Sequence, residues 1–313
     1  MNKITFPCAA VVCAVFTLIA HISAQADTFG TSGNEFTIDF INIGNAGNAA
    51  DTTGYGAVPY EYRVGTYEIS QNAIDKATAS GMANVTAGGW SGNQPAATIS
   101  WYEAAAFVNW LNTSTGHQAA YNLTFSDSWS MTLWSSGQAW TAGGENLYRN
   151  KDAFYFLPSE NEWYKAAYYN PAGSDYFLYP TASDTAPTAV TSGTDAGTAV
   201  YAQPYGQGPA GVDVAGAWNP YGTMGQGGNV WEWNESAVDG PNSLSSEDRA
   251  VRGGGWVDSE GELRSSFRFY FDPAGEGDLL GFRVASVPEP STAVLVLMAG
   301  GAWLLRKRFR RSL

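Results

Sequence analysis

Cysteine is almost absent from this 313-residue sequence: Cys8 and Cys13 are the only two. Both fall in residues 1–26, which begin with Lys3, run apolar from Ala9 to Ala20 and reach Ala24-Gln25-Ala26. A basic start, a short apolar core and an A-x-A site predict a secretory signal peptide cut after Ala26. The exported chain then has no thiol. That excludes disulfides and Cys-ligated metals, although the compartment permits disulfides. Histidine is as scarce: His21 leaves with the leader and His117 remains. One imidazole cannot build a three-His metal site, and a Ser-His-Asp triad would have to rest on His117 alone. At a helix end beside Gly116, it reads as a cap or surface residue.

Basic charge is the third shortage. Lys and Arg number 16 against 29 Asp and Glu. Lys3 and five of the last eight residues account for six of the basic side chains, whereas Glu289 is the one acid at either end. Residues 27–287 therefore carry 10 basic and 28 acidic side chains, a net of −18. No basic patch is available for phosphates, so nucleic acid is not expected as a partner. An acidic surface suits a soluble exoprotein and divalent cations. Charged residues reach only 14%, aromatics also 14%, and glycine numbers 36, which predicts a loop-rich, aromatic-stapled globule rather than a helical bundle.

The C-terminus reads VPEPSTAVLVLMAGGAWLLRKRFRR. Residues 291–305 form an apolar run of 15, marginally short for a membrane span. The basic cluster after it keeps such a segment's C-terminus in the cytoplasm. Val-Pro-Glu-Pro, the apolar run and the Arg-rich tail together resemble the PEP-CTERM sorting signal, over residues 287–313. The resemblance implies an exosortase partner, transient inner-membrane contact through 291–305, and removal of the tail near Pro288–Pro290. Delivery would be to the cell surface or an extracellular matrix. A plain C-terminal anchor is the alternative.

Between the ends, residues 27–35 read as a polar leader. FTIDFINIGN (36–45) and YEYRVGTYEIS (60–70) read as strands, and QNAIDKATASG (71–81) as a short helix. ISWYEAAAFVNWLNTSTG (99–116) and FLPSENEWYKAAYYNP (156–171) each carry a capping box, Ser100 with Glu103 and Ser159 with Glu162, ahead of apolar residues at helical spacing. Residues 171–220 are too long for a structureless connector, so they are either disordered or pinned, for which bound cations are one means. Residues 250–273 and 281–287 read as closing strands.

Four blocks, ISWYEAAAFVNWLN, FLPSENEWYKAAYY, NPYGTMGQGGNVWEWNE and RAVRGGGWVDSEGELRSSFRFYFDP…GFRVA, resemble in order the formylglycine-generating enzyme family, or sulfatase-modifying factors. The resemblance covers residues 36–286 and implies one α+β domain with little regular structure, related to C-type lectins. Active members oxidise a substrate cysteine with copper held by two cysteines. Asp258 and Leu263 stand at those positions, and neither supplies the soft sulfur that copper needs. The three-His iron of related sulfoxide synthases is also missing, so neither copper nor iron is expected. The candidate ligand surface comprises Trp256, Asp258, Glu260, Glu262, Arg264, Arg268 and Tyr270. It would suit a polysaccharide or envelope polymer, or else form a solvated rim.

GGNVWEWNE places Glu232 between two tryptophans, where a carboxylate needs a partner. The resemblance implies structural calcium there, with ligands at Gly228, Val230 and Glu232. The usual oxygen-bearing side chain three residues before Gly228 is lacking, because Gly225 stands there. A metal-free Glu232 accepting backbone N–H bonds is the alternative. The expected function is that of an exported, exosortase-sorted binding or structural protein. The rival is an enzyme of the same superfamily with non-thiol chemistry on an envelope polymer, built on a carboxylate pair such as Glu260 and Glu262 or Asp258 and Glu260.

Overall fold

A computed structural model describes residues 25–288. Elements are numbered in chain order. The first sheet has five strands in the order β1-β2-β3-β17-β8. These are β1 (Gln25–Phe29), β2 (Phe36–Ile43), β3 (Tyr62–Gly65), β8 (Tyr155–Phe156) and β17 (Ala285–Ser286). The second sheet has the order β15-β14-β13-β16, from β13 (Trp231–Ala237), β14 (Arg249–Arg252), β15 (Phe269–Phe271) and β16 (Leu280–Gly281). Four two-stranded ribbons complete the strands. They are β4 (Leu123–Ser126) with β5 (Ser128–Met131), β6 (Ala139–Trp140) with β7 (Asn146–Asn150), β9 (Tyr169–Asn170) with β10 (Asp175–Tyr176), and the parallel pair β11 (Thr188–Ala189) and β12 (Thr198–Ala199). Three α-helices are present among the described residues: α1 (Gln71–Ala79), α2 (Trp101–Ser114) and α3 (Glu160–Tyr168). Sheet dominates, as the implied fold with little helix requires.

Both expected capping boxes form. Ser100 and Ser159 each accept the N3 amide, and Glu103 and Glu162 return to the cap amides. Two indoles then dock α2 on β13: Trp101 Nε1 donates to Asn234 O and Trp233 Nε1 to Ile99 O, both at 2.9 Å. Buried donors of this kind must be satisfied, so the pairing fixes where the helix lies.

Three expectations change. Residues 25–29 are not a leader but strand β1, paired antiparallel with β2, and Asp27 bridges buried Arg63 at 2.6 Å. The polar sequence QADTF hides a strand because its outer face is solvated. The second, at 171–220, was open between disorder and pinning and resolves as pinning, by backbone hydrogen bonds: Asn229 N donates to Val200 O, Ala202 N to Asp258 O and Gln203 N to Trp256 O, each at 2.8 Å. Third, residues 253–268 between β14 and β15 are a chain of turns rather than strand. The signal peptide and the apolar run 291–305 lie outside the described residues. No helix within them is long and apolar enough to cross a membrane.

Candidate functional site

Glu232 lies in β13 and is fully buried. Its partner is Arg283, which follows β16. Arg283 Nε donates to Glu232 Oε2 and Nη2 to Oε1, both at 2.6 Å, and Trp163 Nε1 adds a third bond to Oε2 at 2.6 Å. The remaining Arg283 donors reach Gly65 O at 2.9 Å and Met224 O at 2.9 Å. This is a bidentate, charge-assisted pair with its donors satisfied.

Calcium does not fit this arrangement. A divalent ion would stand against a guanidinium that already grips both carboxylate oxygens. Gly228 and Val230 are held for other reasons. A Cβ at Gly228 (φ +83°) would lie 2.2 Å from Val200 O, and Val230 is fully buried in the core. Glu68 itself fills the space beside Gly225, where a Cβ would meet Glu68 Oε2 at 2.9 Å. Glu68 Oε2 accepts from Asn229 Nδ2 at 2.7 Å, whereas Oε1 has no partner. Burial, reinforced by the Glu232 charge, pushes the Glu68 carboxyl well above its ordinary range; Arg283 and Asn229 pull the other way without cancelling this.

A second buried cluster has the same composition but is closed. Arg149 bridges Glu162 (2.8 Å) and Glu235 (2.7 Å). Tyr60 donates to Glu162, and Tyr121 and Asn146 donate to Glu235. Neither Glu68 nor any of the four buried partners Arg149, Arg283, Glu162 and Glu235 was singled out for a binding role by the sequence. One signal was present: Arg283 is the lone charge in the apolar stretch GFRVASV.

The turn after β14 carries the remaining candidates. Asp258 Oδ2 accepts from Gly255 N at 2.7 Å and Trp231 Nε1 at 2.8 Å. Burial raises its carboxyl above the ordinary value, with those two bonds opposing and the Glu262 charge adding to it. Leu263, at the second copper-ligand position, is fully buried among Tyr179, Ala199 and Tyr201. A copper thiolate pair does not fit an engaged carboxylate and a core leucine. Glu262 caps its own turn, accepting from Ser259 N and Oγ, and Glu260 is exposed. The expected strand that would align Glu260 with Glu262, or Asp258 with Glu260, is therefore absent.

Trp256 is withdrawn from the surface, buried edge-on against Trp90 at 5.2 Å. Arg264 turns to Tyr179 Oη at 2.9 Å. Arg268 pairs with Glu160 at 2.7 Å and lies over Tyr55. Tyr270 stays open, and β15 supplies neighbours that the sequence reading passed over. Phe269, Tyr270 and Phe271 are 45%, 50% and 37% exposed on an edge strand. Phe269 stacks on Tyr270 at 5.5 Å and lies 6.3 Å from Trp231, the indole bonded to Asp258. The structure thus brings Asp258 and Tyr270 into one aromatic surface and separates the other five candidates from it. The missed signal was the run FRFYF itself.

A family model described as sulfatase-modifying factor enzyme 1-like domain matches residues 28–287. Hercynine oxygenase of Mycolicibacterium thermoresistibile is 31% identical over 154 residues, covering 44% of this chain and 33% of that protein. The chain therefore spans about a third of that relative's length. Among solved structures, Treponema denticola variable protein 1 superposes with a TM-score of 0.58 at 21% identity, covering 85% of this chain and 100% of that one. CarF gives 0.56 at 18% identity, covering 80% and 99%. PvdO from Pseudomonas aeruginosa gives 0.51 at 15%, covering 85% and 100%. At these identities the likeness is one of fold.

Proposed function

The chain belongs to the sulfatase-modifying factor enzyme 1-like family, and from that membership we propose a binding member of it, without copper-thiolate oxidase chemistry. Its ligand surface is the exposed aromatic strand β15, backed by the buried Trp231 and by Asp258, and its ligand is a polysaccharide or envelope polymer. The observation that carries this reading is the run of three exposed aromatics on an edge strand, beside a position where Asp258 stands in place of a catalytic thiol. Aromatic faces held open to water cost hydrophobic free energy. They also supply flat apolar platforms with little side-chain entropy to lose, as sugar rings require.

Affinity electrophoresis of the purified protein in gels containing envelope or matrix polysaccharides tests the reading. Retardation is expected, and Tyr270→Ala or Phe269→Ala should weaken it about tenfold, roughly the loss of one stacking contact of that size. The thermal midpoint should hold, because both side chains are largely exposed. Retardation unchanged in both variants, or formylglycine appearing in a cysteine peptide incubated aerobically, overturns it. The signal-like N-terminus and the Val-Pro-Glu-Pro tail support export with exosortase sorting as part of the same reading. The secreted product should then lack residues 291–313 by intact mass, and a mass that includes the Arg-rich tail counts against sorting.

A further inference from the structure

A cleft of about 490 Å³ opens between the N-terminus of α2, the β4–β5 hairpin and the turn at 274–276. It lies apart from the residues of the β15 surface. One wall is aromatic. Phe125 is 42% exposed and packs edge-on against Trp129 at 5.0 Å. Trp129 is anchored by its Nε1 to Asn84 O at 2.9 Å, so this wall is preorganised. The facing wall is acidic. Glu103 is buried and fixed by four donors, Thr86 N (3.0 Å) and Oγ1 (2.7 Å) on Oε1, and Ser100 N (3.0 Å) and Oγ (2.8 Å) on Oε2. Glu276 lines the same cleft, and partial burial and the Glu103 charge raise its carboxyl above the ordinary value. Asp127 adds a third acid at the hairpin tip. No Lys or Arg lines the cleft, and none of the three acids has an ion-pair partner among the described residues.

Three acids around one cleft, with no basic side chain among its lining residues, call for a cation. A hard metal ion is a poor match because all four lone-pair positions of Glu103 are already taken by donors. Its negative charge still acts at short range, and the opposite aromatic faces attract diffuse positive charge. We propose that this cleft binds organic ammonium groups, seated between the Phe125–Trp129 wall and the Glu103–Glu276 pair. The ligand class is a protonated amine or a quaternary ammonium. A neutral sugar would use the aromatic wall but gain nothing from the unpaired acids.

Calorimetric titration of the whole protein with choline, and with its neutral isostere 3,3-dimethyl-1-butanol, reads the charge selection directly. Choline should bind about tenfold more tightly or better, the order expected for a partly desolvated cation–aromatic contact with acidic support. Glu276→Gln and Phe125→Ala should each weaken choline several-fold without shifting the thermal midpoint, since both side chains are exposed. Tyr270→Ala should leave choline binding unchanged, which separates this cleft from the β15 surface. Equal affinity for the isostere, absence of choline binding, or indifference to Glu276→Gln overturns the proposal.

Discussion

Two carboxylates share the surroundings of Arg283, and their fates differ because one guanidinium can neutralise only one of them. Glu232 receives both of its parallel N–H bonds and the Trp163 indole. Removing the charge from one partner of such a buried pair leaves the other unpaired, at a cost of about 3–5 kcal/mol. Glu232→Gln should therefore lose stability of that order in denaturant unfolding, with the same loss in excess calcium and in chelator. A calcium-dependent rise in the parent's unfolding midpoint would instead restore a metal to this position by mass action. Glu68 has no such partner, and its carboxyl is raised by burial and by Glu232. A folded-state value above the unfolded one means that folding retains a proton which the unfolded chain releases. That contribution is fully present below the ordinary value of 4.5 and is lost as pH climbs through the raised value. Glu68→Gln should thus flatten the decline in stability that sets in above the ordinary carboxylate range, and gain on the parent as pH rises. Parallel pH profiles for the two proteins would show that Glu68 is ionised in the folded state.

At the scale of elements, legibility follows how local the determining interaction is. Helices α2 and α3 were readable because a capping box spans three residues and the apolar period does the rest. Their ends fall inside the expected ranges because fraying and turns take the last residues. Strand β1 was not readable: QADTF has no apolar alternation, and its place is secured by β2 and by Arg63, 36 residues beyond Asp27. The length of 171–220 excluded a structureless connector but left disorder and pinning open, since its anchors are main-chain groups of 228–229 and 256–258 that carry no side-chain signature. The candidate site shows the same division. The need of Glu232 for a partner was evident from its apolar neighbours, whereas Arg283 lies 51 residues away and only the parallel pairing of β13 with β16 brings the two together. Trp256, Arg264 and Arg268 carry the residue types of a binding surface, yet turn geometry spends each of them on an internal contact.

The two sheets of the whole molecule are closed by one short C-terminal segment. β16 lies parallel to β13 in the second sheet, and β17 inserts between β3 and β8 in the first. Between them Phe282 and Val284 are fully buried, and Arg283 ties Gly65, Thr66 and Met224 to Glu232. Contacts of this kind join residues more than 200 positions apart, so closing them costs loop entropy that local contacts do not. A chain stopped after Gly277 would keep every helix and both capping boxes. It would lose β16, the β17 strand that joins β3 to β8, the Arg283 partner of Glu232 and four core side chains, Leu280, Phe282, Val284 and Ala285. The loss of that pair alone approaches the lower end of a domain's total stability, about 5 kcal/mol. The truncated chain should therefore show no cooperative unfolding transition and no near-ultraviolet aromatic dichroism. A native-like transition in that chain would mean that the sheets close without the C-terminal strands, and that Arg283 is dispensable to the fold.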